Sequence, residues 1–396
     1  MFENKNILVG VSGSIASYKA CELVRAFQKL GANVRVCMTP SAKEFVGELT
    51  FRALTNYEVL SDWKDGETGL EHIYWARWAD IFVIAPASAN TIAKLRFGIT
   101  DNFLTSVALA FDKKIVVAPA MNTKMYENPA TKENLEVLKQ RGFIITNPDC
   151  GELACGEEGN GKLADIEDIL LDTAYAIYEK PLKSKTVLIT AGGTREHFDP
   201  IRYISNASSG KMGYALAKWS YILGAKKVYL ISAPVCEKPI SKIETINVVS
   251  ANDMFEKVKL LYKEADIIIM NSAVADFRPK SYSSSKLKKD KETNTIELVP
   301  NPDILKFLGE NKKDNQLLVG FAAESENLVE NAIGKLKRKN LDCIVANELS
   351  VFSKDTHKGY IIFKNLEKIE IPQTTKEKSA YFILKTISEK ALRVYN

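Results

Sequence analysis

The stretch Lys5–Gly31, "KNILVGVSGSIASYKACELVRAFQKLG", decides the fold. An apolar run of strand length ends in the small residues Gly10-Val11-Ser12-Gly13-Ser14. An amphipathic helical pattern follows and closes at Gly31. Ala32–Thr39, "ANVRVCMT", is the next strand. Working outward, "ADIFVIAPASAN" (Ala79–Asn90), "KKIVVAPAMN" (Lys113–Asn122) and "GFIITNP" (Gly142–Pro148) repeat the theme. Each is a short apolar run ending in small or turn residues, with helical stretches between. That alternation predicts a parallel sheet with helices on both faces.

The pattern restarts near residue 180. "YEKPLKS" (Tyr178–Ser184) reads as a linker, with Pro181 stopping the preceding helix. "KTVLITAGGTRE" (Lys185–Glu196) is a second first strand with a glycine turn. "KMGYALAKWSYILG" (Lys211–Gly224) is its helix and "AKKVYLISAP" (Ala225–Pro234) its second strand. "ADIIIMNSAVADF", "QLLVGFAAES", "LDCIVANE" and "GYIIFK" follow. The chain is therefore read as α/β, with two consecutive Rossmann-like domains of mainly parallel sheet, 1–182 and 183–396. Within the second, "RPKSYSSSKLKKDKETN" (Arg278–Asn294) is polar and lysine-rich. A solvated loop and a lid closing on an anionic substrate both fit that composition.

Composition narrows the classes. The 396 residues, 46% hydrophobic and 26% charged, suit two or three globular domains. A net charge of +5 is small for this length and does not point to a nucleic-acid partner. No run approaches the roughly 18 apolar residues of a membrane span. The start, "MFENKNILVGVSGS", lacks the basic-then-apolar order of a signal peptide, so a cytoplasmic protein is expected. Six cysteines over this length are not a disulfide scaffold. Cys21, Cys37 and Cys343 fall in apolar patterns. Cys150 and Cys155 have no second pair or nearby histidine to complete a zinc site. Cys155 stands among glycines in "ACGEEGNGKL" (Ala154–Leu163), a composition that argues against a helix or strand interior.

A strand, a glycine turn and a helix make an anion site. The first turn is not G-x-G-x-x-G, and the second strand ends Met38-Thr39-Pro40-Ser41 without a carboxylate. An NAD site is disfavoured on both counts. Hydroxyls at strand ends suit a single phosphate, as in FMN or another mononucleotide, and a purely structural Gly/Ser turn fits equally well.

"GVSGSIASYKA", "APASANTIAKLRFGITDNFL", "APAMNTKMYENPAT" and "ACGEEGNGKLAD" together resemble the flavin-dependent cysteine decarboxylases. "ITAGGTREHFDPIRYISNASSGKMG", "AVADFRP" and "GFAAES" resemble phosphopantothenate–cysteine ligase. Their order is similar to that of the bifunctional bacterial coenzyme A biosynthesis family, and the resemblance covers nearly the whole chain. It implies a flavodoxin-like, FMN-binding first domain and a second domain using CTP with Mg²⁺. The implied reactions join L-cysteine to 4′-phosphopantothenate through an acyl-cytidylate, then decarboxylate the product to 4′-phosphopantetheine.

By the same resemblance His72, Asn122 and Cys155 carry the decarboxylation. His72 takes or holds a proton during thiol oxidation, Asn122 binds the substrate carboxylate, and Cys155, on a flap, protonates the enethiolate. Ser12, Gly13, Ser14, Thr39, Ser88 and Asn90 are the candidate FMN contacts, at strand ends. In the ligase half the resemblance assigns Asn206, Arg202 and Lys286 to forming and processing the acyl-cytidylate. Lys288 and Lys289 are close enough to be exchanged with Lys286. Ser208 and Gly210 lie in "SSGKMG", which is not a P-loop but opens a helix. Asp276, Pro302, Asp303, Ile304, Leu305, Phe321, Lys335 and Lys339 complete the implied nucleotide contacts. Lys335 and Lys339, four apart, face one side of a helix and call for an anion between them. No metal ligands are assigned. His197 stands where the family commonly has proline, so a local difference in that turn is expected.

Two other readings fit parts of the sequence. A peptidyl-cysteine decarboxylase leaves the ligase motifs idle. A non-catalytic phosphatase-regulatory relative is disfavoured by the presence of His72, Asn122 and Cys155 together. The resemblance also implies a homo-oligomer, with trimers through the first half, dimers through the second and a dodecamer overall.

Overall fold

The computed structural model describes residues 1–62, 65–287, 295–324, 327–348 and 356–391. The chain divides into two compact units, Met1–Tyr178 and Glu179–Asn396.

In the first unit, strands β1 (Asn6–Val11), β2 (Asn33–Met38), β3 (Val59–Leu60), β4 (Ile81–Ala87), β5 (Ile115–Pro119) and β6 (Ile144–Ile145) form one sheet. Its order is β3-β2-β1-β4-β5-β6 and every pairing is parallel. Both faces are covered by helices, which is why the strands are apolar without alternation; β4 is buried at every position. The helices are α1 (Lys19–Lys29), α2 (Glu48–Thr55), α3 (Glu71–Trp78), α4 (Ala89–Phe97), α5 (Phe103–Ala110), α6 (Thr123–Glu127), α7 (Pro129–Gln140) and α8 (Ile166–Ile177). Strand order reverses between β1 and β4, which opens a crevice at their carboxyl ends.

Two local expectations need correcting here. The helix read from Ile15 begins as a 3-10 turn, Ile15–Tyr18, whose N-cap Ser14 accepts from the Ala16 N–H at 3.2 Å; α1 proper starts at Lys19. The glycine-rich segment also contains a strand. β7 (Asp149–Glu152) and β8 (Glu158–Lys162) form an antiparallel hairpin with Cys155 in its turn.

The second unit holds β9 (Thr186–Ala191), β10 (Arg195–His197), β11 (Tyr203–Ser205), β12 (Lys227–Ser232), β13 (Glu244–Asn247), β14 (Ile267–Met270), β15 (Phe277–Pro279), β16 (Leu298–Pro300), β17 (Leu317–Glu324), β18 (Cys343–Glu348), β19 (Thr356–Phe363) and β20 (Lys368–Thr375). Its helices are α9 (Lys211–Ile222), α10 (Ala251–Leu261), α11 (Ile304–Asn311), α12 (Leu328–Arg338) and α13 (Lys376–Lys390). The main sheet runs β13-β12-β9-β14-β17-β18-β19-β20. It is parallel from β13 to β18, and β19 and β20 are added antiparallel. The repeat of apolar runs missed β13 and β20. Both are edge strands, "ETIN" and "KIEIPQTT", and only partly buried.

Leu182, in the predicted linker, is fully buried and its N–H bonds the Leu223 carbonyl at 3.1 Å. That stretch therefore packs as part of the second unit. His197 lies in a β10–β11 hairpin, paired with Tyr203, their ring centroids 5.1 Å apart. Among the described residues no helix is long and apolar enough to cross a membrane.

Candidate active sites

In the first unit the reactive groups gather where β5 ends. Asn122 caps α6: its Oδ1 accepts the Lys124 N–H at 2.9 Å. Its Nδ2 points the other way and donates to Cys155 Sγ at 3.3 Å and to Glu157 Oε2 at 2.9 Å. The Cys155 thiol is 3.8 Å from that same carboxylate oxygen. The structure thus brings Asn122 and Cys155 together. It places His72 on another element, in the first turn of α3. A helix that returns to a parallel strand starts at the carboxyl edge of the sheet, so His72 shares that edge with Asn122. Glu157 was not anticipated; only its position two residues after Cys155 hinted at it.

The hairpin glycines have a specific use. Gly161 has φ +128°, and a Cβ there would sit 2.3 Å from the Met121 carbonyl oxygen. A Cβ on Gly159 would sit 2.5 Å from Thr123 Oγ1. The bare backbone lets the hairpin lie on the Asn122 turn, where the Met121 N–H bonds the Gly161 carbonyl at 2.9 Å. Gly161→Ala is expected to lift Cys155 off Asn122 and cut decarboxylation about 10²-fold. Ligation should be unchanged. Single-turnover assays of each half-reaction check this.

The carboxyl ends of β1, β2 and β4 carry the candidate flavin contacts. Ser14 and Ser88 are N-caps, and Ser88 accepts from the Thr91 N–H at 3.3 Å. A Cβ on Gly13 would lie 2.5 Å from Ser41 Oγ, so this turn and the end of β2 are in close contact. Thr39 is 5% exposed and its hydroxyl is 3.1 Å from that of Ser41. Asn90 is exposed on α4. The buried Ser12 hydroxyl donates to the Pro86 carbonyl and accepts the Ser88 N–H, both at 2.8 Å. It ties β1 to the end of β4, and its one O–H is already used. The remaining set is hydroxyls and amides at helix starts, without a carboxylate, which fits a phosphate-bearing flavin.

In the second unit a cleft of about 810 Å³ opens at the carboxyl edge of the main sheet. Asn206, Ser208 and Gly210 form one wall, and Asp276 and Pro302–Leu305 another. Phe321, Lys335 and Lys339 close it. All of these nucleotide candidates therefore converge. Gly210 has φ +77° at the start of α9, and a Cβ there would sit 2.6 Å from Val235 Cγ1. Asn206 Nδ2 donates to the Val274 carbonyl at 3.1 Å, joining the glycine loop to the end of β14.

Each lysine of the pair has a partner within the protein. Lys335 Nζ donates to the Phe321 carbonyl at 2.8 Å, and Lys339, just beyond the end of α12, pairs with Asp303. Asp303 compensates the Lys339 charge and Lys335 donates to a neutral carbonyl, so the spacing alone does not require a bridging anion. The wall also includes Asn271, Asn301, Asn347, His357 and Lys376, none of which the sequence singled out.

Arg202 and Lys286 are not among the residues that wall this cleft. Arg202 instead contacts Leu287, the residue after Lys286. The Asp199 side chain, fully buried, accepts the N–H groups of Ile201 at 2.9 Å, Arg202 at 2.7 Å and Leu287 at 3.3 Å. Arg202 Nε lies 3.1 Å from Asp199, and its Nη2 donates to the Leu287 carbonyl. The peptide after Lys286 is thus gripped from both sides. Lys288 and Lys289 lie outside the described residues. Burial raises the Asp199 pKa, but the three N–H donors and the Arg202 charge outweigh it and hold the carboxyl below its usual value. A lowered pKa means the grip is fully present above the usual carboxylate range and is lost only as pH falls through the folded value. Asp199→Ala is expected to slow ligation about 10²-fold by releasing Leu287. Decarboxylation should stay at the wild-type rate, which an assay on supplied phosphopantothenoylcysteine reads directly.

A two-unit α/β protein, with a phosphate-suited strand edge in one unit and a lysine-walled cleft in the other, is the class this geometry defines. Residues 1–177 match the Flavoprotein family and residues 182–391 match the DNA/pantothenate metabolism flavoprotein C-terminal domain. The chain belongs to the bifunctional coenzyme A biosynthesis proteins. It is similar to the coenzyme A biosynthesis bifunctional protein CoaBC of Bacillus subtilis, 46% identical over 98% of each chain. The CoaBC protein of Borreliella burgdorferi is 41% identical over 98% of this chain and 100% of its own. A solved C-terminal domain of CoaBC is 44% identical, covering 53% of this chain and 97% of that one, with a TM-score of 0.47.

Proposed function

We infer that residues 1–182 decarboxylate 4′-phosphopantothenoylcysteine with FMN, and that residues 183–396 make that compound from 4′-phosphopantothenate, L-cysteine and CTP. The observation that carries the reading is the meeting of Asn122 and Cys155, 33 residues apart in sequence, beside a carboxylate. Glu157 Oε2 occupies the Asn122 amide as the substrate's cysteinyl carboxylate would. The arriving carboxylate displaces Glu157, and the Asn122 amide holds it without neutralising it. When bound, FMN takes two electrons from the substrate thiol and later returns them. His72 accepts the proton that leaves during that oxidation. Cys155 then gives its proton to the carbon that has lost carbon dioxide, and recovers one from solvent at the exposed hairpin turn.

In the second unit the α9 N-terminus and the cleft lysines hold the nucleotide's phosphates. Lys286 steadies the carboxylate as it attacks the α-phosphate and pyrophosphate leaves. The cysteine amine then displaces CMP from the acyl-cytidylate, with Asn206 aligning the carbonyl. Among the described residues no three metal-ligating side chains form a cluster, and we take Mg²⁺ to arrive on the triphosphate.

Mass spectrometry of the flavin-loaded protein with 4′-phosphopantothenate, cysteine, CTP and Mg²⁺ tests both halves. CMP and 4′-phosphopantetheine are the expected products. Accumulation of phosphopantothenoylcysteine would remove the decarboxylase reading alone, and neither product would remove both.

A further inference from the structure

His357 stands at the start of β19, paired with Thr374 on β20, and lies in the wall of the cleft beside Asn347 and Lys376. It is 3% exposed. Neither ring nitrogen has a hydrogen-bond partner among the described residues. Burying an imidazole with both nitrogens unanswered costs stability. A core position could hold phenylalanine or leucine without that cost. The residue lines the cleft to which the substrates of the second unit are assigned.

We propose that His357 is a positioning and specificity residue of this cleft, hydrogen-bonding an uncharged hydroxyl or amide group of a bound substrate through its free ring nitrogens. Burial first, and the neighbouring Lys376 charge second, push its pKa down to about 4. The ring is therefore neutral at pH 7 and presents one donor and one acceptor. A neutral donor–acceptor pair suits a hydroxyl or amide, whereas the lysines of the same cleft suit phosphates. Two substrates offer the matching chemistry: the ribose or base of the nucleotide, and the hydroxyl and amide of the pantothenate arm.

The proposal rests on the cleft being the ligation site. A wild-type protein that does not ligate would overturn that reading, whereas unchanged variant constants in a ligating protein would overturn only this one. The test compares the full chain with His357→Phe and His357→Asn. Thermal melting of the ligand-free protein is measured, together with calorimetric binding of CTP alone and of 4′-phosphopantothenate alone, and steady-state ligation. His357→Phe is expected to melt no lower than wild type, because two unanswered polar groups are removed. It should weaken one substrate about tenfold, the equivalent of about 1.4 kcal/mol. Its kcat should stay within about threefold, and decarboxylation should not change. His357→Asn restores a donor and an acceptor and should recover most of the lost affinity. A loss confined to CTP assigns the contact to the nucleoside, and a loss confined to 4′-phosphopantothenate assigns it to the pantothenate arm. A lowered melting temperature with wild-type affinity for both substrates would make His357 structural and overturn the proposal. If the phenylalanine variant fails to fold, His357→Leu takes its place: a loss of about tenfold for one substrate with wild-type melting supports the proposal, and unchanged affinity for both substrates or collapse of every variant overturns it.

Discussion

Cys155→Ser should lower decarboxylation by about 10²–10⁴-fold, the range that a positioned acid contributes, and leave ligation at its wild-type rate. An alcohol is a far weaker acid than a thiol, so serine keeps the hydrogen-bonding shape and removes the proton donor. The fold gives no reason for a stability loss. Cys155 is exposed in a hairpin turn, and its contacts are the Asn122 amide and the Glu157 carboxylate, both of which a hydroxyl can also meet. Under the proposed role the thiol serves only the final proton transfer, so carbon dioxide should still leave. The variant should then accumulate an enethiol two mass units below 4′-phosphopantetheine. Normal turnover by Cys155→Ser would pass the acid role to another group, with His72 and Glu157 the first to be substituted next. The comparison with Gly161→Ala separates chemistry from placement. The serine variant keeps the hairpin docked and stops after decarboxylation, whereas the alanine variant loosens the hairpin and slows the whole half-reaction.

The parallel strands were legible because they are buried on both faces. Runs such as Ile81–Ala87 and Ile267–Met270 carry no polar interruption that another element could imitate. β8 was not legible. "EGNGK" has the composition of a loop, and it is a strand only because it pairs with Asp149–Glu152 and rests on Met121–Thr123. Asp199 and His357 were illegible for a related reason. Asp199 matters through three backbone N–H groups, one of them 88 residues away, and no side-chain pattern records such a contact. His357 sits on an antiparallel addition to a sheet whose parallel logic ended at β18. Lys335 and Lys339 show what spacing omits: the Phe321 carbonyl and the Asp303 carboxylate come from other elements and give each lysine a hydrogen-bond partner that no helical spacing records.

Lys286→Gln is expected to reduce ligation about 10²–10³-fold, the scale of removing one aimed charge from a transition state. Lys286 is exposed and makes no ion pair among the described residues, so losing its charge disturbs no compensating partner in the fold. What is fixed is its root. Leu287, the next residue, is held by Asp199 through its N–H and by Arg202 through its carbonyl. A long cationic chain on a clamped backbone can reach a phosphate or carboxylate with little entropy left to lose on closure. Glutamine keeps most of the length and the polarity, and only the charge is lost. The deficit should therefore appear in acyl-cytidylate formation, read as exchange of labelled pyrophosphate into CTP. Decarboxylation of supplied phosphopantothenoylcysteine should proceed unchanged. Lys286→Arg should retain more activity than the glutamine variant, because the charge survives although its geometry changes. Wild-type exchange in Lys286→Gln would move the role to Lys288 or Lys289. Asp199→Ala would then still slow ligation, since Lys288 and Lys289 follow Leu287 directly in sequence.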